Sequence, residues 1–190
     1  MSSKTRKGIP DKKSDDRRLY SLQVVLIGGP VTEDFAKKNK VVSRTIEIRG
    51  DQTLEDLHCA IFKAFDRDDE HLYEFQIGGK RINDPKARRY VLPQVLDDGL
   101  FGERQEHDLT EAKIGSLGLK LRQMFAYWFD YGDDWWHRID VVGIADEVPK
   151  GKYPRITERV GESPPQYPDW EEEDGVGHPA CRASPTGRAA

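Results

Sequence analysis

The run from Phe125 to His137, Phe-Ala-Tyr-Trp-Phe-Asp-Tyr-Gly-Asp-Asp-Trp-Trp-His, limits what this chain can fold into more than any other segment. Aromatic and β-branched residues favour strands, and a Gly-Asp pair between two such runs favours a reverse turn. The spacing therefore predicts a β-hairpin with strands at 123–130 and 135–144. With Gly132 and Asp133 at the tip, Asp130 faces Trp135, Phe129 faces Trp136 and Trp128 faces His137. Alternation then gives Trp128, Asp130, Trp135 and His137 one face, and Phe129, Tyr131, Asp134 and Trp136 the other. A slip of one residue would send a strand's whole set to the opposite face.

That hairpin has a structural and a functional reading. In the first, aromatic cross-strand pairs contribute roughly 0.2–1 kcal/mol each. Asp130 and His137 exchange a hydrogen bond, and Asp133 and Asp134 build the turn. In the second, Asp130 and His137 are candidate catalytic residues acting as a general base pair. Asp130, Asp133, His137, His58 and His71 are candidate ligands for a divalent metal, the one cofactor the residue types suggest. The candidate binding surface comprises Trp128, Asp130, Asp133, Asp134, Trp135, His137, His58 and Tyr73, because two adjacent tryptophans beside a histidine exceed what a turn needs.

Upstream, residues 19–27 alternate as a strand, with Tyr20, Leu22, Val24 and Leu26 inward, until Gly28-Gly29-Pro30 stops it. A second strand is expected at 41–49, with Val42, Ile46 and Ile48 inward, and a helical turn from Thr32 in the connection. The clearest helix spans 53–67. Thr53 and Asp56 form a capping box, and Leu54, Leu57, Ile61, Ala64 and Phe65 make the buried stripe. His58 borders that stripe and reads first as a satisfied core residue. A third strand is expected at 71–78, with Tyr73, Phe75 and Ile77 on one face. Residues 79–108 read as irregular, and 108–117 as a short helix. The fold class is α+β, a mixed sheet with helices packed on one side in a two-layer sandwich.

The domain is expected at 19–165. Residues 1–18, with a local charge of +4, read as a basic tail, and 166–190 as an acidic and then low-complexity tail in which Tyr167 and Trp170 can anchor on the domain. The net charge of −4 argues against coating nucleic acid by charge alone. Two cysteines without a Cys-x-x-Cys pairing imply a reducing compartment, with Cys59 as a small core residue. No apolar stretch suits a signal peptide or membrane helix, so the expected location is cytoplasmic.

The run Tyr127-Trp-Phe-Asp130-Tyr131-Gly132-Asp133-Asp134-Trp135-Trp136-His137 resembles the hallmark of the plasmid pRiA4b ORF-three-like domain family. Arg44, Leu54-x-x-Leu57-His58 and His71-Leu72-Tyr73-x-Phe75 match further elements of that family in order. Pro164-Pro165 is followed by Gln166-Tyr167 where the family carries Glu-Asp-Cys-Gly-Gly, and the stretch between the third strand and the hairpin is long. The resemblance implies an α+β sandwich and an association with plasmids and mobile elements. The aromatic face and the charged tails make the expected function a non-catalytic interaction module for a protein or nucleic-acid partner, without membrane attachment. The alternatives are a metal-dependent hydrolase or nuclease using the Asp/His cluster, and DNA binding through the basic tail, Lys80-Arg81 and Arg88-Arg89.

Overall fold

The computed structural model describes residues 15–98 and 106–168. Its strands are β1 (Leu19–Gly28), β2 (Ser43–Arg49), β3 (Tyr73–Ile77), β4 (Arg88–Val91), β5 (Glu106–Asp108), β6 (Met124–Phe129), β7 (Trp135–Ala145) and β8 (Arg155–Val160). They form one sheet in the order β5-β4-β3-β6-β7-β1-β2-β8. Only β4 and β5 run parallel; the other neighbours are antiparallel. The helices are α1 (Glu33–Lys38), α2 (Leu54–Ala64) and α3 (Pro93–Asp98), with a 3-10 turn at Ile114–Leu117. This is the expected mixed-sheet α+β architecture.

The amphipathic stripe of α2 explains the two layers. Leu54, Leu57, Ile61 and Ala64 are buried in one cluster with Leu22, Ile46, Phe75, Phe125, Ile139 and other inward residues of the central strands. The capping box is present, with the Thr53 hydroxyl accepting from the Asp56 amide and the Asp56 carboxylate accepting from the Thr53 amide. Likewise Thr32 caps α1 by accepting from the Phe35 amide.

At its other end α2 stops at Ala64, three residues earlier than the expected 67. Asp66 takes a left-handed φ of 54°. The Asp66 amide donates to the Lys63 carbonyl and the Arg67 amide to the Phe62 carbonyl. This is a Schellman closure with aspartate in the place glycine usually takes. Arg44 and Arg159 both donate to the Ala64 carbonyl, satisfying a helix-end acceptor.

Three strands lie where the sequence signals none. β4 and β5 fall in the stretch read as irregular, because Arg88-Arg89 masks a four-residue strand. Arg89 is nevertheless buried, paired with Glu74 on the neighbouring strand. β8 is an almost wholly exposed edge strand and so carries no burial alternation. The helix expected at 108–117 contracts to the 3-10 turn, ended by Gly118 in the left-handed region.

The hairpin forms, in a different register. Phe129 pairs with Trp135, Trp128 with Trp136 and Tyr127 with His137. The connection is the five-residue stretch 130–134, closed by the Asp134 amide donating to the Asp130 carbonyl. Both ends of the loop are aspartates at positive φ, 55° for Asp130 and 56° for Asp134. Aspartate tolerates this region because its short side chain bonds locally. Here Asp130 Oδ1 accepts from the amides of Gly132 and Asp133. An odd loop displaces one strand by a residue, so the expected shared face of Trp128, Asp130, Trp135 and His137 does not exist.

Candidate functional site

The corrected register sorts the predicted site residues into three places. On the sheet face away from α2, the half-buried rings of Trp128 and Trp136 stack with centroids 4.7 Å apart. Tyr131 lies 4.3 Å from Trp128, and Trp128 Nε1 donates to Asp134 Oδ1 at 2.9 Å. Trp136 and Tyr131 thus do on this face what the sequence reading assigned to Trp135 and His137.

On the core face, Trp135 and His137 are 0% and 1% exposed. Trp135 lies between two close neighbours. The Arg67 Cζ stands 3.6 Å over its indole. The Gly29 backbone lies so near that a Cβ there would fall 2.3 Å from Trp135 Cε3. The His137 ring is 4.8 Å from Phe65 and 5.3 Å from Tyr127. Burial holds His137 down to about 3, with the nearby Arg67 charge adding to the shift and the Trp135 backbone opposing it without completing a hydrogen bond. His137 is therefore neutral. It bonds to neither Asp130 nor any other described residue, which removes the expected Asp130–His137 general base pair.

Arg67 is the residue that sequence reasoning missed. The stretch Asp66-Arg67-Asp68-Asp69-Glu70 reads as a solvated charge run. The Schellman closure instead turns Arg67 inward, to 8% exposure. Among the described residues its side chain makes one bond, a long 3.5 Å contact from Nη1 to the Pro164 carbonyl. Among the described residues Nε and Nη2 find no hydrogen-bond partner, nor do Trp135 Nε1 and both His137 nitrogens. Burial lowers Arg67 to about 10, while Tyr127, Asp130, Asp133 and Asp68 act on it through space in the opposite sense. Taking a guanidinium out of water costs several kcal/mol after relaxation. A desolvated cation–π contact returns about 2 kcal/mol, and each unpartnered buried donor adds about 1–3 kcal/mol of cost.

The third place is an open cleft of about 580 Å³ beside α2. Its walls carry Glu55, His58, Cys59, Glu70, His71 and Tyr73, with Leu72 and Leu92 as apolar patches. His58 stacks on Tyr73, centroids 3.5 Å apart and planes 5° from parallel. Its Nδ1 lies 2.8 Å from the Tyr127 hydroxyl and its Nε2 3.2 Å from Glu70 Oε2. Burial holds His58 down to about 3, so the ring is neutral and the contact to Glu70 is a hydrogen bond, not an ion pair. A carboxylate only accepts, so Nε2 carries the proton and Nδ1 accepts from Tyr127. This is the satisfied histidine the sequence suggested. Burial raises Tyr73, and Tyr127 still more, keeping both phenols protonated.

His71 sits at the rim, with Nε2 2.8 Å from the Tyr167 hydroxyl and 3.6 Å from Asp130 Oδ2. Tyr167 also donates to Asp69 Oδ2 at 2.6 Å, a bond that pushes the phenol up to about 12. Gln166 accepts from the amides of Asp68 and Asp69 and donates to the Asp69 carbonyl. Gln166 and Tyr167, expected in the tail, are thus held on the domain, and Trp170 lies outside the described residues. Cys59 is exposed in the cleft wall instead of buried in the core, and burial of its surroundings raises its thiol.

The metal candidates do not gather. His137 faces the core, His58 is engaged by Tyr127 and Glu70, and Asp130 caps its own loop. Among the described residues no group of three or more His, Cys, Asp or Glu side chains is placed to hold a metal ion. The proposed basic surface is also divided: Arg89 is buried against Glu74, and Arg88 donates to the Leu117 carbonyl. No helix of the described residues is long and apolar enough to cross a membrane.

No curated protein matches the chain significantly. Its architecture is similar to the crystal structure of the protein of unknown function MM3350 from Methanosarcina mazei Go1. The TM-score is 0.56 at 22% identity, covering 75% of this chain and 68% of that one, a likeness of fold. The family model described as Plasmid pRiA4b ORF-3-like protein matches residues 34–172. With the Tyr127–His137 hairpin, the Arg44 helix clamp and the His58–Tyr127 bond all inside that span, the chain belongs to the Plasmid pRiA4b ORF-3-like protein family.

Proposed function

We propose that the chain is a non-catalytic interaction module of a plasmid or mobile-element system, and that it takes a protein partner in the cleft beside α2. The observation that carries this reading is the composition of the cleft. Among the described residues its ionisable walls are Glu55, Glu70, His58, His71 and Cys59, without a lysine or arginine, and Leu72, Leu92 and Tyr73 supply apolar area. Such a surface repels phosphate backbones and suits a partner segment that pairs basic with apolar side chains. Of the expected binding residues, His58 and Tyr73 line this cleft, and Asp130 reaches its rim through His71. The alternative, metal-dependent hydrolysis at an Asp/His cluster, has no comparable arrangement among the described residues to support it.

The test is affinity capture from cells carrying the element, using the full chain as bait. The double variant Glu55→Arg, Glu70→Arg is expected to lose the partner that the parent retains, while Lys80→Glu, on an exposed turn away from the cleft lining, keeps it. Equal recovery by the parent and the double variant rejects the cleft as the binding surface.

A further inference from the structure

A second hollow, of about 280 Å³, lies between the β1–α1 connection and the segment that follows β8. It shares no lining residue with the cleft beside α2. Its apolar walls are Pro30, Val31, Phe35, Pro164, Pro165 and Pro168. Pro30, Val31, Phe35 and Pro168 are half-buried and Pro165 is exposed, so these walls meet solvent. Small-molecule sites take roughly 300–1,000 Å³. This hollow is thus sized for one large side chain. A smaller one, of about 160 Å³, shares Val31, Phe35 and Asn39 with it and reaches Lys40.

Two observations point to the occupant. The first is connectivity. Pro168, where the described residues end, is itself a wall of the hollow. Asp169 and Trp170 come next in the sequence, and two residues span at most about 7 Å. So short a tether gives Trp170 a high effective concentration at the apolar walls. Tyr167, the other aromatic of this stretch, is already bonded to His71 and Asp69. The second observation is charge. Trp170 is followed by Glu171, Glu172, Glu173 and Asp174. Lys38 lines the hollow and Lys40 its neighbour, and both are exposed. Lys37 is engaged by Glu33 and Asp34, whereas Lys38 and Lys40 form no ion pair among the described residues. Glu162, also in the lining, repels an acidic run and so favours the lysine side.

We propose that this hollow is the docking site for Trp170 of the same chain, with the acidic run 171–174 laid along Lys38 and Lys40. Four proline rings and the Phe35 ring supply the apolar contacts that an indole takes. Docking gives the segment 162–168 a second anchor. Gln166 and Tyr167 fasten it to the residues after α2, and Trp170 fastens it to α1. The tail thereby steadies Tyr167 and His71 at the cleft rim. The assignment does not depend on what the cleft binds.

The test is NMR of the full-length, 13C,15N-labelled protein, with the Trp170 indole signals assigned through Trp170→Ala. Nuclear Overhauser contacts from the indole protons to the Val31 methyls and the Phe35 ring are expected, with intensities that do not change on dilution. The double variant Lys38→Glu, Lys40→Glu is expected to lower the ratio of docked to free Trp170, read from the indole shift, by about threefold at low salt, a difference that added salt shrinks. A Trp170 indole with no contact to either side chain, its signal unmoved by Val31→Ser, overturns the proposal. Contacts found only between a labelled and an unlabelled copy also overturn it, because the occupant is then a second chain's tryptophan. If Val31→Ser does not fold, the contacts in the parent still decide.

Discussion

Trp128 lies flat against Trp136 across the hairpin, ring centroids 4.7 Å apart and planes 10° from parallel. That pairing exists only because the turn spans five residues. It places Trp128 on the outer face with Trp136, while Trp135 lies in the core opposite Phe129.

The two tryptophans should therefore respond differently to truncation. Trp136→Ala loses a cross-strand stack and is expected to cost about 1 kcal/mol, with a coupling to Trp128→Ala of about 0.5–1.5 kcal/mol in a double-mutant cycle. Trp135→Ala empties a wholly buried site and is expected to cost about 3–5 kcal/mol. Urea denaturation of the four variants measures all of these. Equal losses for Trp135→Ala and Trp136→Ala would contradict the register.

Stability should fall on mild acidification. His58 and His137 are both held down to about 3, chiefly by burial, against an unfolded value near 6.5. The fold selects the neutral rings, so their contribution is fully present above about pH 7. Below about 6.5 the unfolded chain takes up protons that the folded chain refuses, and each histidine then removes about 1.4 kcal/mol per pH unit until the folded value is reached. Urea midpoints between pH 7 and pH 5 are the measurement. His58→Gln is expected to reduce the slope by about half. A pH-independent midpoint over that interval would show that the rings are not buried neutral.

Gly29 should resist any side chain. Its φ is +142°, and a Cβ would fall 2.3 Å from Trp135 Cε3, an atom locked between the Gly29 backbone and Arg67. Gly29→Ala combines backbone strain with overpacking and is expected to cost about 3 kcal/mol. Gly132→Ala, whose nearest contact is the Asp130 carboxylate at 3.3 Å, is expected to cost under about 1 kcal/mol. Thermal melts of the two variants give the comparison.

The capping box at Thr53 supplies a local test. Thr53→Ala frees the Asp56 amide and is expected to destabilise the protein by about 1–2 kcal/mol. Thr53→Ser is expected to restore most of that loss in the same denaturation assay.

Much of this architecture is legible in the amino-acid order, because the relevant signals are local. Period-two alternation marks β1 and the inward residues of β3, and the Thr53–Asp56 box with the Leu54–Ala64 stripe marks α2. A Gly-Asp bend between aromatic runs marks the β6–β7 hairpin. The resemblance carried by Arg44, His58, His71 and the hairpin run likewise lies in the chain itself.

What only the tertiary structure decided is which groups meet. The hairpin register depends on one residue of loop length, since even and odd loops fit the same aromatic run and differ only in which face packs on α2. Arg67 becomes a buried guanidinium because Asp66 adopts a left-handed conformation at the end of α2, and nothing in a run of five charged residues announces that turn. β5 and β8 form because neighbouring strands offer unpaired backbone edges, a demand set by the sheet, and β4 joins it by burying Tyr90, Val91 and the Arg89–Glu74 pair, which a doublet of arginines does not announce. Local patterning determined the elements. Long-range packing, which pays no attention to sequence separation, determined the sites.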